Sequence, residues 1–197
     1  MKVSFLTSYF PNGFTNDFIN CIKEYYTNEG SFVFIASDFS THSKNDKNID
    51  IFLNMFKSNG IIFKETHVID NRISKKEAKE YIEKAEVVWL SGGNTLNQIK
   101  EIKEYDLIEA LQTREKITIG MSAGSINMAK RVVLAKDIND NIPELSIYDG
   151  IGLVNINIEP HLDPTDEEHN KDIYEASKSS TIYGLYETDR KGADLDG

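Results

Sequence analysis

Three short stretches hold the residues whose types and spacing could do chemistry. The first is residues 117–130, ITIGMSAGSINMAK, in which Ser122 stands between Gly120 and Gly124 where an apolar run meets a helix-like segment. That G-x-S-x-G pattern between a strand and a helix is the form of a nucleophile elbow. So tight a turn forces the serine into a strained backbone and leaves no room for a Cβ on either side. In return the hydroxyl stands clear of the sheet, with backbone N–H groups, beginning with that of Ala123, free to hold a developing oxyanion. The second stretch is Ser91-Gly92-Gly93-Asn94-Thr95, after the apolar run 87–90. The third is Glu159-Pro160-His161-Leu162-Asp163, closing a β-like segment. Glycine and serine are common wherever a strand turns into a helix, so the first pattern alone does not decide for catalysis. Three such stretches at three strand ends would meet along one edge of a parallel sheet, where such folds keep their sites.

The surrounding pattern supplies that sheet. Residues 3–9 read as a strand ending in the turn Pro11-Asn12-Gly13, and Phe14, Phe18, Ile19, Ile22, Tyr25 and Tyr26 recur at helical spacing up to Gly30. Residues 31–37 are continuously apolar, as a strand covered on both faces should be. Residues 41–48 are polar and read as a solvated loop containing His42, and Ile49, Phe52, Met55 and Phe56 form the next helical face. Residues 61–69 make a third strand. Ser74 with Glu77 forms a capping box before the helical face Ala78, Tyr81, Ile82 and Ala85. Strand 87–90 then delivers SGGNT, where Asn94 or Thr95 can cap the following helix. Beyond the elbow, 132–135 reads as a short strand, 150–159 as a strand leading to His161, and 181–186 as a last strand. Thr165 with Glu168 looks like a second capping box, for a helix running to about Lys178. The βαβ alternation predicts an α/β fold: a doubly wound, mostly parallel sheet with helices on both faces, in a single domain spanning 1–197.

In this order the stretches SGGNT, GMSAGS and EPH resemble the peptidase E (aspartyl dipeptidase) family of serine peptidases, whose fold is class I glutamine amidotransferase-like. The resemblance covers nearly the whole chain. It implies acyl transfer to Ser122, with His161 as base and the amides of Gly93 and Ala123 as oxyanion hole. It also implies a Ser-His-Glu triad whose carboxylate lies in a G-L-x-E stretch, which Gly184-Leu185-Tyr186-Glu187 matches; Asp137, then Asp140, are the alternatives. Asp163 lies too close along the chain to orient the His161 ring. Of the other histidines, His67 reads as a sheet residue and His169 as a helix residue. A family preference for dipeptides beginning with Asp would call for a basic partner. After His161 there is no arginine in LDPTDEEHNKDIYE, only His169 and Lys171 among acids, and these two with Asn94 are the substrate-binding candidates. An esterase is disfavoured by the absence of an HGGG-type stretch, and an amidotransferase by serine where it would have cysteine. A binding protein that kept the elbow and lost turnover is the non-enzymatic alternative.

The composition narrows the setting. A net charge of −10 over 197 residues disfavours nucleic-acid or anionic-membrane partners, while leaving room for a locally basic site. No His, Cys and Asp set has metal-ligand spacing, so no metal or cofactor is expected. The lone Cys21 falls among apolar residues and reads as a buried structural thiol. The first ten residues, MKVSFLTSYF, read as a strand and not a signal peptide, and no run approaches transmembrane length, so a cytoplasmic monomer or homodimer acting on small peptides is expected. The residues after Glu187, TDRKGADLDG, are fewer than relatives carry there.

Overall fold

The computed structural model describes residues 2–27, 30–138 and 141–186. From the first residues the chain alternates β1 (Val3–Thr7), α1 (Asn16–Tyr25), β2 (Ser31–Ile35), α2 (His42–Ser58), β3 (Glu65–Ile69), α3 (Lys75–Lys84), β4 (Val87–Leu90), α4 (Thr95–Glu104), α5 (Ile108–Thr113) and β5 (Ile117–Met121). The five strands form one parallel sheet in the order β1-β5-β4-β2-β3. From β2 the chain steps outward to β3, then returns past β2 to β4 and on to β5. With right-handed crossovers that reversal sends successive helices to opposite faces, giving the doubly wound architecture. One face is an aromatic layer: Phe52 and Phe56 of α2 and Phe14 surround Trp89, the closest pair being Phe52 and Trp89 with centroids 4.3 Å apart. On the other, α3 packs against α5. Residues 32–35 and 87–90 are wholly buried, which is why both strands read as unbroken apolar runs.

The local signals hold where the backbone needs them. Thr15 caps α1, Asn94 caps α4, and Ser74 with Glu77 forms the capping box of α3. The polar stretch 41–48 is not a loop but the opening of α2. Its buried face runs Asn45, Ile49, Phe52, Phe56, at i, i+4, i+7 and i+11, and its first member is polar. Asn45 is tolerated inside because its amide donates to the Asp38 carbonyl at 2.9 Å and the Asp70 carboxylate at 3.3 Å. Cys21 also departs from expectation: it is exposed, because α1 buries Ile19 and Ile22 and turns the intervening position outward.

After β5 come α6 (Ala123–Asn127), β6 (Arg131–Leu134), β7 (Ser146–Asp149), β8 (Asn157–Glu159), α7 (Glu167–Ser177) and β9 (Ile182–Gly184). β6 pairs antiparallel with β7, and β8 pairs parallel with β9. Of the expected strand 150–159 only the last three residues are one. Gly152 takes φ +81, and the backbone of 151–154 bonds to the end of α6 and the residues just after it: Ile151 N–H to Asn127 at 2.8 Å, Leu153 N–H to Met128 at 2.8 Å. The helix after Thr165 is capped by Asp166, which accepts from His169 N–H, while the Thr165 hydroxyl donates to Asp163. Among the described residues no helix is long and apolar enough to cross a membrane.

Candidate active site

The elbow forms where β5 runs into α6. Ser122 has φ 50 and ψ −115, a left-handed conformation costly for any residue with a side chain. The turn is braced from β1: Ser122 N–H donates to the Thr7 carbonyl at 2.9 Å, and Thr7 and Ser125 exchange bonds of 2.9 and 2.8 Å. Both flanking glycines are sterically required. A Cβ on Gly124 would stand 2.2 Å from the Leu90 carbonyl oxygen, and one on Gly120 would stand 2.6 Å from Ser125 backbone atoms.

His161 reaches this serine from the end of β8. Its Nε2 lies 2.9 Å from Ser122 Oγ. The histidine is itself strained, with φ 57, and its N–H donates to the buried Ser8 hydroxyl at 2.8 Å. The same hydroxyl faces Nδ1 at 3.5 Å, a weak contact. Gly92 and Gly93 close the other flank. Gly93 has φ 136, and a Cβ there would fall 2.1 Å from Ser37 Oγ.

Two cavities open on either side of the Ser122–His161 pair, and both residues line both. The first, of about 310 Å³, has walls of Phe10, Phe52, Met55 and Met121, with Lys44 and Asn48 at one side. The second, of about 250 Å³, is lined by Asp137, Glu159, Asp163, Asp166 and His169. There the Glu159 carboxylate, 3.3 Å from His169 Nε2, raises the ring's pKa to about 9; burial opposes this, and the charges of Asp137 and Asp166 add to it. His169 is therefore a cation already held by a carboxylate.

The structure thus brings Ser122, His161, Gly93 and Ala123 together and sets Asp137 and His169 on the wall of the second cavity. Asn94 is exposed and its side chain accepts from Asn97 N–H as a helix cap, and Lys171 is exposed on α7 and lines neither cavity. Glu187 and Asp140 lie outside the described residues. Sequence reasoning missed Ser8, Lys44 and Glu159. Ser8 follows directly on β1 at the edge that holds the other stretches, which was the one signal available for it. Among the described residues no group of three or more His, Cys, Asp or Glu is arranged to hold a metal ion.

A parallel sheet that raises a serine on a strained strand–helix turn, in hydrogen-bond contact with a histidine from a later strand, has the form of a nucleophile elbow in an α/β fold. The model of peptidase family S51 matches residues 13–189, and the chain belongs to that family. It is 32% identical over 119 residues to peptidase E of Salmonella typhi, covering 54% of this chain and 51% of that protein. It is 31% identical over 121 residues to peptidase E of Salmonella arizonae, covering 55% and 52%. The chain thus spans about half the length of the curated relatives it matches. A Listeria monocytogenes EGD-e protein bearing the peptidase E name superposes with a TM-score of 0.66 over 94% of this chain and 90% of its own, at 23% identity. A peptidase from an acI-B1 Actinobacterium superposes with a TM-score of 0.57 over 80% and 67%, at 14% identity. At those identities the two structures attest the fold.

Proposed function

We propose that this chain is a serine peptidase that hydrolyses short peptides by acyl transfer to Ser122. The observation that carries the reading is the 2.9 Å contact between His161 Nε2 and Ser122 Oγ on a strained elbow. His161 takes the hydroxyl proton as Ser122 attacks the scissile carbonyl, then gives it to the leaving amine; water repeats the cycle on the acyl-enzyme. The amides of Gly93 and Ala123 hold the oxyanion; neither donates a hydrogen bond to another described residue. Glu187 is the proposed third member, with Asp137 the alternative. Leu185 supports Glu187: its N–H donates to the Glu159 carbonyl at 2.7 Å and its carbonyl accepts from Leu162 N–H at 3.1 Å, bracketing the His161 turn.

An Asp-first substrate is the weaker version of the reading. With the first residue of the peptide in the second cavity, its side-chain carboxylate would need a free cation there, and His169 is committed to Glu159 while Lys171 lies away from both cavities. The acidic second cavity suits the α-ammonium of a free N-terminus instead. The test is a pooled dipeptide library varied at the first residue, followed by mass spectrometry, with Ser122→Ala alongside. Cleavage by the parent and a loss of roughly 10⁴-fold or more in the variant is expected. Survival of every peptide in both samples would overturn the proposal.

A further inference from the structure

We infer that Lys44 reads the free C-terminal carboxylate of the substrate, so that the first cavity receives the leaving amino acid of a dipeptide. This rests on the peptidase reading above and assigns the direction in which the peptide lies.

The inference starts from α2. Beside its buried face, the helix presents Lys44, Asn48, Ile51 and Met55 to the cavity, at i, i+4, i+7 and i+11. This stripe is graded: a cation and an amide at its N-terminal end, apolar side chains at its C-terminal end. It also explains why Ile51, 54% exposed, is an isoleucine at all: it walls the cavity in which Ser122 and His161 stand. Lys44 is the one lysine, arginine or carboxylate side chain in that lining, and its ammonium has no ion pair or hydrogen bond among the described residues. Asp38, whose carboxylate feels the charge of Lys44, accepts from the Ser40 N–H at 2.8 Å and the Ser40 hydroxyl at 2.6 Å.

The opposite cavity supplies the complement. Its lining holds the carboxylates Asp137, Glu159, Asp163 and Asp166 and one cation, His169. A dipeptide carries an ammonium at one end and a carboxylate at the other, with the scissile carbonyl between. Laid across Ser122 with the ammonium in the acidic cavity, it directs its carboxylate toward Lys44 and its second side chain toward Phe52, Ile51 and Met55. The reverse orientation would set the carboxylate against that acidic lining and the ammonium against Lys44. A longer peptide would carry its carboxylate past this point.

The test compares a pool of Xaa-Leu dipeptides with the matching pool of Xaa-Leu amides, whose C-terminus is uncharged, on the parent, Lys44→Met and Lys44→Arg. Lys44 is exposed and methionine is a good helix former, so the fold should survive; fluorescence of Trp89, the single tryptophan, checks that it does. The parent is expected to favour free acids over amides by roughly tenfold in kcat/KM, the scale of a charge-assisted hydrogen bond at an open site. Lys44→Met should lose that preference by slowing the acids alone, and Lys44→Arg should keep most of it. High salt should erode the parent's preference. An acid-to-amide ratio unchanged by Lys44→Met, with both pools cleaved, overturns the role of Lys44 and leaves the peptidase reading standing. If the parent cleaves neither pool, both fall together.

Discussion

Gly124→Ala offers the sharpest separation of sterics from chemistry at the elbow. The added Cβ would stand 2.2 Å from the Leu90 carbonyl oxygen, 2.7 Å from the carbon behind it and 2.8 Å from the Leu90 Cβ. These neighbours belong to a wholly buried central strand, so no flexible side chain can swing away. Restoring ordinary contact requires α6 and β4 to part by roughly 1 Å, at about 1–3 kcal/mol of overpacking strain. The same displacement separates the two proposed oxyanion donors, because Ala123 opens α6 and Gly93 lies just beyond β4. A misplacement of that size is expected to lower kcat by about 100-fold. Gly60→Ala is the control. Gly60 has φ +79 and nothing within 4 Å of its missing Cβ, so alanine there meets backbone strain of about 1 kcal/mol and no clash. Urea unfolding followed by Trp89 fluorescence reads stability, and kcat on the dipeptide returned by the library reads the site. A Gly124→Ala variant with the parent's urea midpoint, or one destabilised without any fall in kcat, would refute the reasoning.

Ser8→Ala removes the acceptor that holds the His161 backbone in its left-handed conformation. It is expected to lower kcat by about 10- to 100-fold with little change in KM, and Ser8→Thr should restore much of the rate. The His169–Glu159 pair makes stability depend on pH. The folded ring holds its proton up to about pH 9 while the unfolded ring releases it near 6.5, so the pair's contribution is complete below 6.5 and lost as pH rises through 9. At this partly exposed site that amounts to about 1 kcal/mol, visible as a steeper fall of the urea midpoint above pH 7 in the parent than in His169→Gln. Arg114→Met should cost about 3 kcal/mol or more without touching the site. The buried guanidinium donates to the carbonyls of Ala85 and Ile117 at 2.7 Å and to Thr118 Oγ1 at 2.6 Å, and their loss leaves those acceptors orphaned; the urea midpoint measures it.

What could be read from the chain alone follows from how local each constraint is. The buried residues 32–35 and 87–90 left unbroken apolar runs, and of the glycines around Ser122, Gly120 is dictated by nearby Ser125 while Gly124 is dictated by Leu90 across the sheet. The pairing of Ser122 with His161 was expected from strand ends sharing one edge of a single sheet, but β8 lies outside the five-stranded sheet, paired with β9, and the bonds of Ser8 and Leu185 bring the His161 turn to the elbow. Lys44 was hidden by its neighbour: a helix whose buried face begins with asparagine looks polar all round, and only the partners Asp38 and Asp70 make Asn45 an interior residue. Residues 150–159 alternate like a strand, but the positive φ of Gly152 turns them toward the end of α6. Ser8 and Glu159 act through tertiary pairings, at sequence separations of 153 and 10, that no local pattern records.

β1 and the serine after it carry an obligation beyond pairing in the sheet. Thr7 braces the serine turn and Ser8 fixes the histidine, so Ser122 and His161 both lean on a segment far earlier in the chain. During translation that segment must wait for residues 117–125 before it has a sheet neighbour and for residue 161 before it has its last partner. A nascent chain that stops short of residue 161 has Ser122 without the histidine that meets it. The Ser122–His161 pair therefore forms late, when residue 161 returns to the end of β1.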